Sequence, residues 1–210
     1  MVSDGIDSFA HRFEPAAPDG PRTVLLLLHG TGGDENDLVQ LAGMLAPGAA
    51  YLSPRGKVRE SGMPRWFRRI AEGVFDEDDL RARAEELAGF VVAAAQRYRF
   101  EERPVLAIGF SNGANMASAL MLLHPEVLAG GVLLRAMLPF REMPAADLSG
   151  RAVWIGAGSE DPMVPDGHPQ RLADALRGCG ADVTLHLAPA GHGLTLQDVE
   201  AARGWLALHL

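Results

Sequence analysis

The segment Gly109-Phe110-Ser111-Asn112-Gly113 limits what this chain can fold into more than any other. It follows an apolar, β-like run, Pro104-Val105-Leu106-Ala107-Ile108, and precedes a helix-like one, Ala114 to Leu123. A strand that turns into a helix over so few residues brings two backbones close together, and the flanking glycines remove the Cβ atoms that would collide. The serine is driven toward strained backbone angles, with its hydroxyl exposed at the start of the helix. The pentapeptide alone recurs by chance in a chain with 24 glycines, so its weight depends on what surrounds it.

Apolar runs alternate with helix-period segments, which predicts an α/β fold: a mostly parallel sheet with helices on both faces. The expected central strands are Thr23 to His29, Ala49 to Ser53, Pro104 to Phe110, Gly131 to Ala136, Ala152 to Ala157 and Asp182 to Ala188, with Phe9 to Glu14 as an antiparallel edge. Asp34 to Ala46 places Leu38, Leu41 and Leu45 on one helix face, with Asp34 available as cap. Asp76 to Tyr98 aligns Leu80, Leu87, Val91 and Tyr98 behind an acidic start suited to the helix dipole. Pro169 to Arg177 reads as a short helix stopped by Gly178, and Thr195 to Leu210 as a terminal helix with a capping box formed by Thr195 and Asp198. With 48% hydrophobic and 22% charged residues and no repeat or linker, residues 1–210 are expected to form one domain.

A net charge of −8 opposes binding to a phosphate backbone, so no nucleic-acid partner is expected. The acidic first residues lack an apolar stretch, and the longest aliphatic run, Val24 to Leu28, is far too short to cross a bilayer. The expectation is a cytoplasmic protein without membrane insertion; its assembly is not legible, and a homodimer is compatible with the composition. Cys179 is the only cysteine, which rules out an intrachain disulfide. The acids Asp76 to Asp79 point in different directions on a helix and have no nearby histidine, so no metal site is expected, nor any organic cofactor.

A serine hydroxyl is a poor nucleophile without a base, and the base needs a carboxylate to orient it. In an open α/β sheet these groups come from loops at the carboxyl ends of strands. His192 follows the strand Asp182 to Ala188, in the flexible loop Ala190-Gly191-His192-Gly193. The acid should follow Ala152 to Ala157: Asp161 is the first choice, and the adjacent Glu160 its rival. The resulting order, Ser111, Asp161, His192, is that of α/β-hydrolases. A carbonyl under attack also needs donors for its oxygen. The backbone N–H groups of Thr31, in His29-Gly30-Thr31-Gly32-Gly33, and of Asn112 are the candidates, with His29 as a support of the loop.

The chain resembles the phospholipase/carboxylesterase family of α/β-hydrolases, which includes acyl-protein thioesterases, and looks closest to its bacterial carboxylesterases. The resemblance rests on Leu28-His29-Gly30-Thr31-Gly32-Gly33-Asp34-Glu35, Pro64-Arg65-Trp66-Phe67-Arg68, Gly109 to Asn115, Gly158-Ser159-Glu160-Asp161-Pro162 and Gly191-His192-Gly193-Leu194. It implies that Ser111, Asp161 and His192 are nucleophile, acid and base, with Thr31 and Asn112 at the oxyanion positions. Thioesterase relatives commonly carry Gln after the nucleophile, where this chain has Asn112.

Little more than Met137 to Gly150 is left for a lid, so an open pocket and small or short-acyl ester substrates are expected. Trp66, Phe67, Met137 and Phe140 are the candidate walls. The basic stretch Arg55, Lys57, Arg59, Arg65, Arg68 and Arg69 is open to two readings, attraction of an anionic substrate and pairing with the acidic segment that follows. The leading expectation is a serine carboxylester hydrolase working through an acyl-enzyme. An acyl-thioester or lysophospholipid hydrolase with the same triad is the alternative, and a noncatalytic hydrolase-like binding protein the remote one.

Overall fold

The expected alternation closes into a seven-stranded sheet in a computed structural model that describes residues 5–210. In chain order the strands are β1 (His11–Glu14), β2 (Val24–Leu28), β3 (Ala50–Pro54), β4 (Val58–Glu60), β5 (Met63–Arg65), β6 (Arg69–Ala71), β7 (Val74–Phe75), β8 (Val105–Phe110), β9 (Gly130–Leu134), β10 (Ala152–Gly158) and β11 (Asp182–Ala188). The helices are α1 (Val39–Leu45), α2 (Glu77–Tyr98), α3 (Asn112–Leu123), α4 (His168–Gly178) and α5 (Leu196–Leu206). The main sheet runs β1-β3-β2-β8-β9-β10-β11, parallel except for the antiparallel edge β1.

Strand side chains alternate between faces, so an unbroken aliphatic run such as Val24 to Leu28 requires cover on both. Val24, Leu26 and Leu28 join a core with Leu80 and Leu87 of α2, Leu120 of α3 and Leu172 of α4. Leu25 and Leu27 face the other way, toward Leu45 of α1 and Ala202 and Leu206 of α5. Each fully buried leucine contributes about 1.5–3 kcal/mol relative to exposure. Among the described residues, no helix is long and apolar enough to cross a membrane.

The departures from expectation are local. The helix expected over Asp34 to Ala46 begins only at Val39, because the Asp34 carboxylate accepts the Asn36 N–H (2.8 Å) and holds a turn in place of a cap. Gly178 lies inside α4, and the chain turns at Gly180, where φ is +94°. The terminal helix stops at Leu206, although its Thr195/Asp198 capping box forms. Residues 58–75, where no strands are expected, fold into the hairpins β4–β5 and β6–β7.

Candidate active site

Ser111 joins β8 to α3 at φ 53°, ψ −116°, a conformation that an L-residue adopts only when its surroundings enforce it. The enforcement is visible on both sides. The Ser111 N–H donates to the Leu134 carbonyl (2.8 Å), tying the turn to β9. A Cβ at Gly113 would run into the Leu28 carbonyl, so only glycine lets α3 pack so close to β2.

His192 Nε2 lies 2.9 Å from the Ser111 hydroxyl, and its Nδ1 lies 2.8 Å from Asp161 Oδ2. The Asp161 side chain is almost wholly buried, and its other oxygen accepts the Met163 N–H at 2.9 Å. That backbone donor fixes which oxygen faces the imidazole. With Nδ1 donating to the carboxylate, Nε2 is left free to accept the serine proton. Glu160 is exposed; it contributes its N–H to the Ala190 carbonyl (3.0 Å), which steadies the histidine loop.

Arg135, which sequence reasoning missed, holds that loop from below. It follows β9 at φ 57° and its side chain is fully buried. The guanidinium donates to the carbonyls of Gly191 (3.1 Å) and Gly193 (2.8 Å), the two neighbours of His192, and to both oxygens of Asp198 (3.2 and 2.7 Å). Burial pushes the Asp198 carboxyl up, but Arg135 and the N–H and hydroxyl of Thr195 outweigh it and hold the group below its ordinary range. Removing one partner of such a buried pair costs about 3–5 kcal/mol. The capping box revealed Asp198, but its bond to a distant arginine leaves no local signature.

The glycine loop after β2 is braced at several points. The His29 ring bonds the Gly30 carbonyl through Nδ1 (2.6 Å) and accepts the Gly56 N–H at Nε2 (2.9 Å), while its own carbonyl accepts the Trp66 indole N–H (2.8 Å). The Gly32 N–H donates to the Pro64 carbonyl (2.9 Å), and the Trp66 N–H to Asn112 Oδ1 (2.8 Å). Thr31 and Asn112 both line the cleft at Ser111, and neither backbone N–H donates to an acceptor among the described residues.

Burial pushes the His29 pKa below its ordinary 6.5, against the Gly30 hydrogen bond. Protonation would also destroy the acceptor for Gly56. The neutral ring therefore stabilises the fold fully above about pH 6.5, and this contribution erodes as pH falls toward the lowered folded value, by at most about 1.4 kcal/mol per unit. Melting temperature should drop between pH 7 and 5.5, and drop less in His29→Gln, which has no proton to gain. Equal drops would show that His29 is not the responsible group.

The cleft at Ser111 and His192 encloses about 360 Å³, with Met63, Phe75, Met137 and Met163 among its apolar walls and Arg65, Arg69 and Glu72 among its charged ones. Of the four expected walls only Met137 lies there. Trp66, Phe67 and Phe140 are core residues, no more than 2% exposed, and the Trp66 indole is committed to the His29 carbonyl. Side chains two apart share a face of an extended segment, so Met63 and Arg65 face the cleft while Trp66 turns inward; Phe67 lies beyond β5, outside that alternation, and is buried edge-on against Phe75. Of the basic stretch, only Arg68 pairs with the acidic segment that follows, to Asp76 at 3.1 Å; Arg55 pairs with Glu35 (2.6 Å), Lys57 with Glu86 (2.8 Å), and Arg65 and Arg69 with Glu60 (3.2 and 2.7 Å). Among the described residues, no group of three or more His, Cys, Asp or Glu side chains is placed to hold a metal.

Comparison with known proteins supplies independent context. The sequence profile described as Phospholipase/Carboxylesterase matches residues 14–210. The Bacillus subtilis protein MhqD, assigned as a hydrolase, is 43% identical over 195 residues, covering 93% of this chain and 96% of its own length. The crystal structure of the Bacillus cereus carboxylesterase superposes with a TM-score of 0.93 at 44% identity, over 97% of this chain and 95% of that one. The Mesorhizobium loti carboxylesterase superposes with a TM-score of 0.89 at 35% identity, over 99% and 97%.

Proposed function

Because this chain belongs to the phospholipase/carboxylesterase family of α/β-hydrolases, we propose that it is a serine carboxylester hydrolase acting on small or short-acyl esters through an acyl-enzyme. The observation that carries this reading is the unbroken relay from Ser111 Oγ through His192 to Asp161. His192 Nε2 takes the serine proton as Oγ attacks the ester carbonyl, and Asp161 stabilises the imidazolium that forms. The Thr31 and Asn112 N–H groups receive the developing oxyanion, a role in which one donor is commonly worth about a hundred- to a thousand-fold in turnover. His192 then gives its proton to the leaving alcohol. It next takes a proton from water as the water oxygen attacks the acyl carbonyl, and returns that proton to Ser111 Oγ as the C–Oγ bond breaks and the carboxylic acid leaves. Labelling by a fluorophosphonate, with the adduct mapped to Ser111, tests the chemistry; an adduct elsewhere would refute it.

The expectation about size follows from the cover. Between β9 and β10 the chain forms no helix, and the neighbouring wall is the small β6–β7 hairpin, so an acyl chain of any length soon reaches water. A methylene that stays in water gains nothing, whereas a buried one contributes about 0.8 kcal/mol. For p-nitrophenyl esters below micellar concentration, kcat/KM should peak at short acyl groups. A steady rise through the longest would point to a buried channel and to lipid substrates.

A further inference from the structure

Arg65 and Arg69 both line the cleft of the nucleophile, and a single carboxylate serves them. Arg69 donates to Glu60 through Nε at 2.8 Å and approaches it through Nη2 at 2.7 Å, whereas Arg65 Nε stands 3.2 Å from the other Glu60 oxygen. Arg69, and after it Arg65, hold the Glu60 carboxyl below its ordinary range. Its one negative charge faces two positive ones.

Arg65 is the more telling of the pair. Its side chain is only 5% exposed, yet its sole hydrogen bond is a long one from Nε to the Phe67 carbonyl (3.4 Å). Among the described residues its two terminal nitrogens donate to no acceptor. Burial pushes its pKa down, although a guanidinium remains charged at any working pH. Neither nitrogen is among the buried polar atoms that lack a partner, so both open onto the cleft, where an acceptor can reach them while the rest of the side chain is held in place.

Its backbone is fixed with respect to the chemistry. The preceding carbonyl, of Pro64, accepts the Gly32 N–H beside Thr31, and the following N–H, of Trp66, donates to the Asn112 side chain. A Cβ at Gly56 would collide with the Arg65 carbonyl, so the glycine is what lets the two backbones pack this closely. Arg65 is thus braced between the two segments proposed to bind the oxyanion. Glu72 also lines the cleft, but it is exposed and its charge is screened by water in a way that the Arg65 charge is not.

We propose that Arg65 binds a carboxylate of the substrate, so that the preferred substrates are esters carrying a second, ionised acid group. A planar carboxylate accepts two parallel N–H bonds from a guanidinium, which is what the terminal nitrogens of Arg65 lack. The inference rests on the esterase reading for turnover but not for binding. The carboxylate can sit on the acyl or on the alcohol side, and matched substrates separate the two.

Hydrolysis of monomethyl glutarate is compared, by proton release, with that of the ester in which isopropyl replaces the carboxylate; the acetate ester of γ-hydroxybutyrate is compared with its own isopropyl counterpart. In one of the two pairs the wild type should favour the charged ester by about tenfold or more in kcat/KM. In Arg65→Met, where Glu60 keeps Arg69, that ratio should collapse, and the ratio within each protein is insensitive to a general loss of activity. The pair that responds identifies the side. Calorimetric binding of glutarate should weaken at least tenfold in Arg65→Met and be partly kept in Arg65→Lys, with or without turnover. Absence of preference in both pairs, or a preference and glutarate affinity that survive in Arg65→Met, overturns the proposal. If Arg65→Met does not fold, the wild type decides alone: glutarate must raise the KM for a neutral ester and leave kcat unchanged, and failure to compete overturns it equally. A protein that binds glutarate through Arg65 but hydrolyses no ester refutes the esterase reading and leaves the anion site standing.

Discussion

Ser111→Ala should lower ester turnover on the order of a million-fold, the loss seen when the nucleophile of a comparable serine hydrolase is removed. The fold should survive. Alanine meets the same backbone strain at φ 53° as serine does, the glycine contacts that shape the turn are untouched, and the hydroxyl bonds only the partly buried His192. Circular dichroism and a melting curve close to wild type, with residual activity near background, are the expected pair of results. Substantial turnover by the purified variant would remove Ser111 from the mechanism.

Asp161→Asn should cost roughly ten-thousand-fold if the serine-protease precedent applies, while Glu160→Gln should have little effect. The Met163 N–H occupies one oxygen of residue 161 and so dictates how an asparagine would sit. Its amide oxygen stays on that N–H, and its NH₂ group meets His192 Nδ1. The imidazole must then carry its proton on Nε2, where it cannot accept one from Ser111. Glu160 is exposed and reaches the histidine loop only through its backbone, which the substitution leaves intact. Steady-state kinetics on the two variants separates the acids, and the opposite ranking would transfer the role to Glu160.

Much of this arrangement is legible in the sequence because it is built from local patterns. Continuous aliphatic runs give the strands to within a residue or two, and the loops after β8, β10 and β11 carry Ser111, Asp161 and His192 to one end of the sheet. What escapes is whatever depends on orientation or on partners far away in the chain. Trp66 and Phe67 lie in a segment that borders the site, but their side chains serve the core, and residue type alone does not reveal which way an irregular stretch faces. The hairpins β4–β5 and β6–β7 have strands of only two or three residues, too few for a period to register. Asp34 offered a plausible cap, yet its carboxylate found a nearer N–H. Arg135 gives no signal, since its value comes from Asp198, 63 residues further on.

That separation gives the clamp a meaning in time. A chain is made from its amino end, so the proposed nucleophile, its acid and the glycine loop all emerge from the ribosome before Asp198 does. Until α5 docks, the buried guanidinium lacks its counter-ion, and the carbonyls beside His192 lack a secured donor. On the proposed mechanism, an unfinished chain can assemble most of its sheet and still have no seated base. Hydrolysis then switches on with the docking of α5, and turnover during cell-free synthesis becomes a clock for that step of folding.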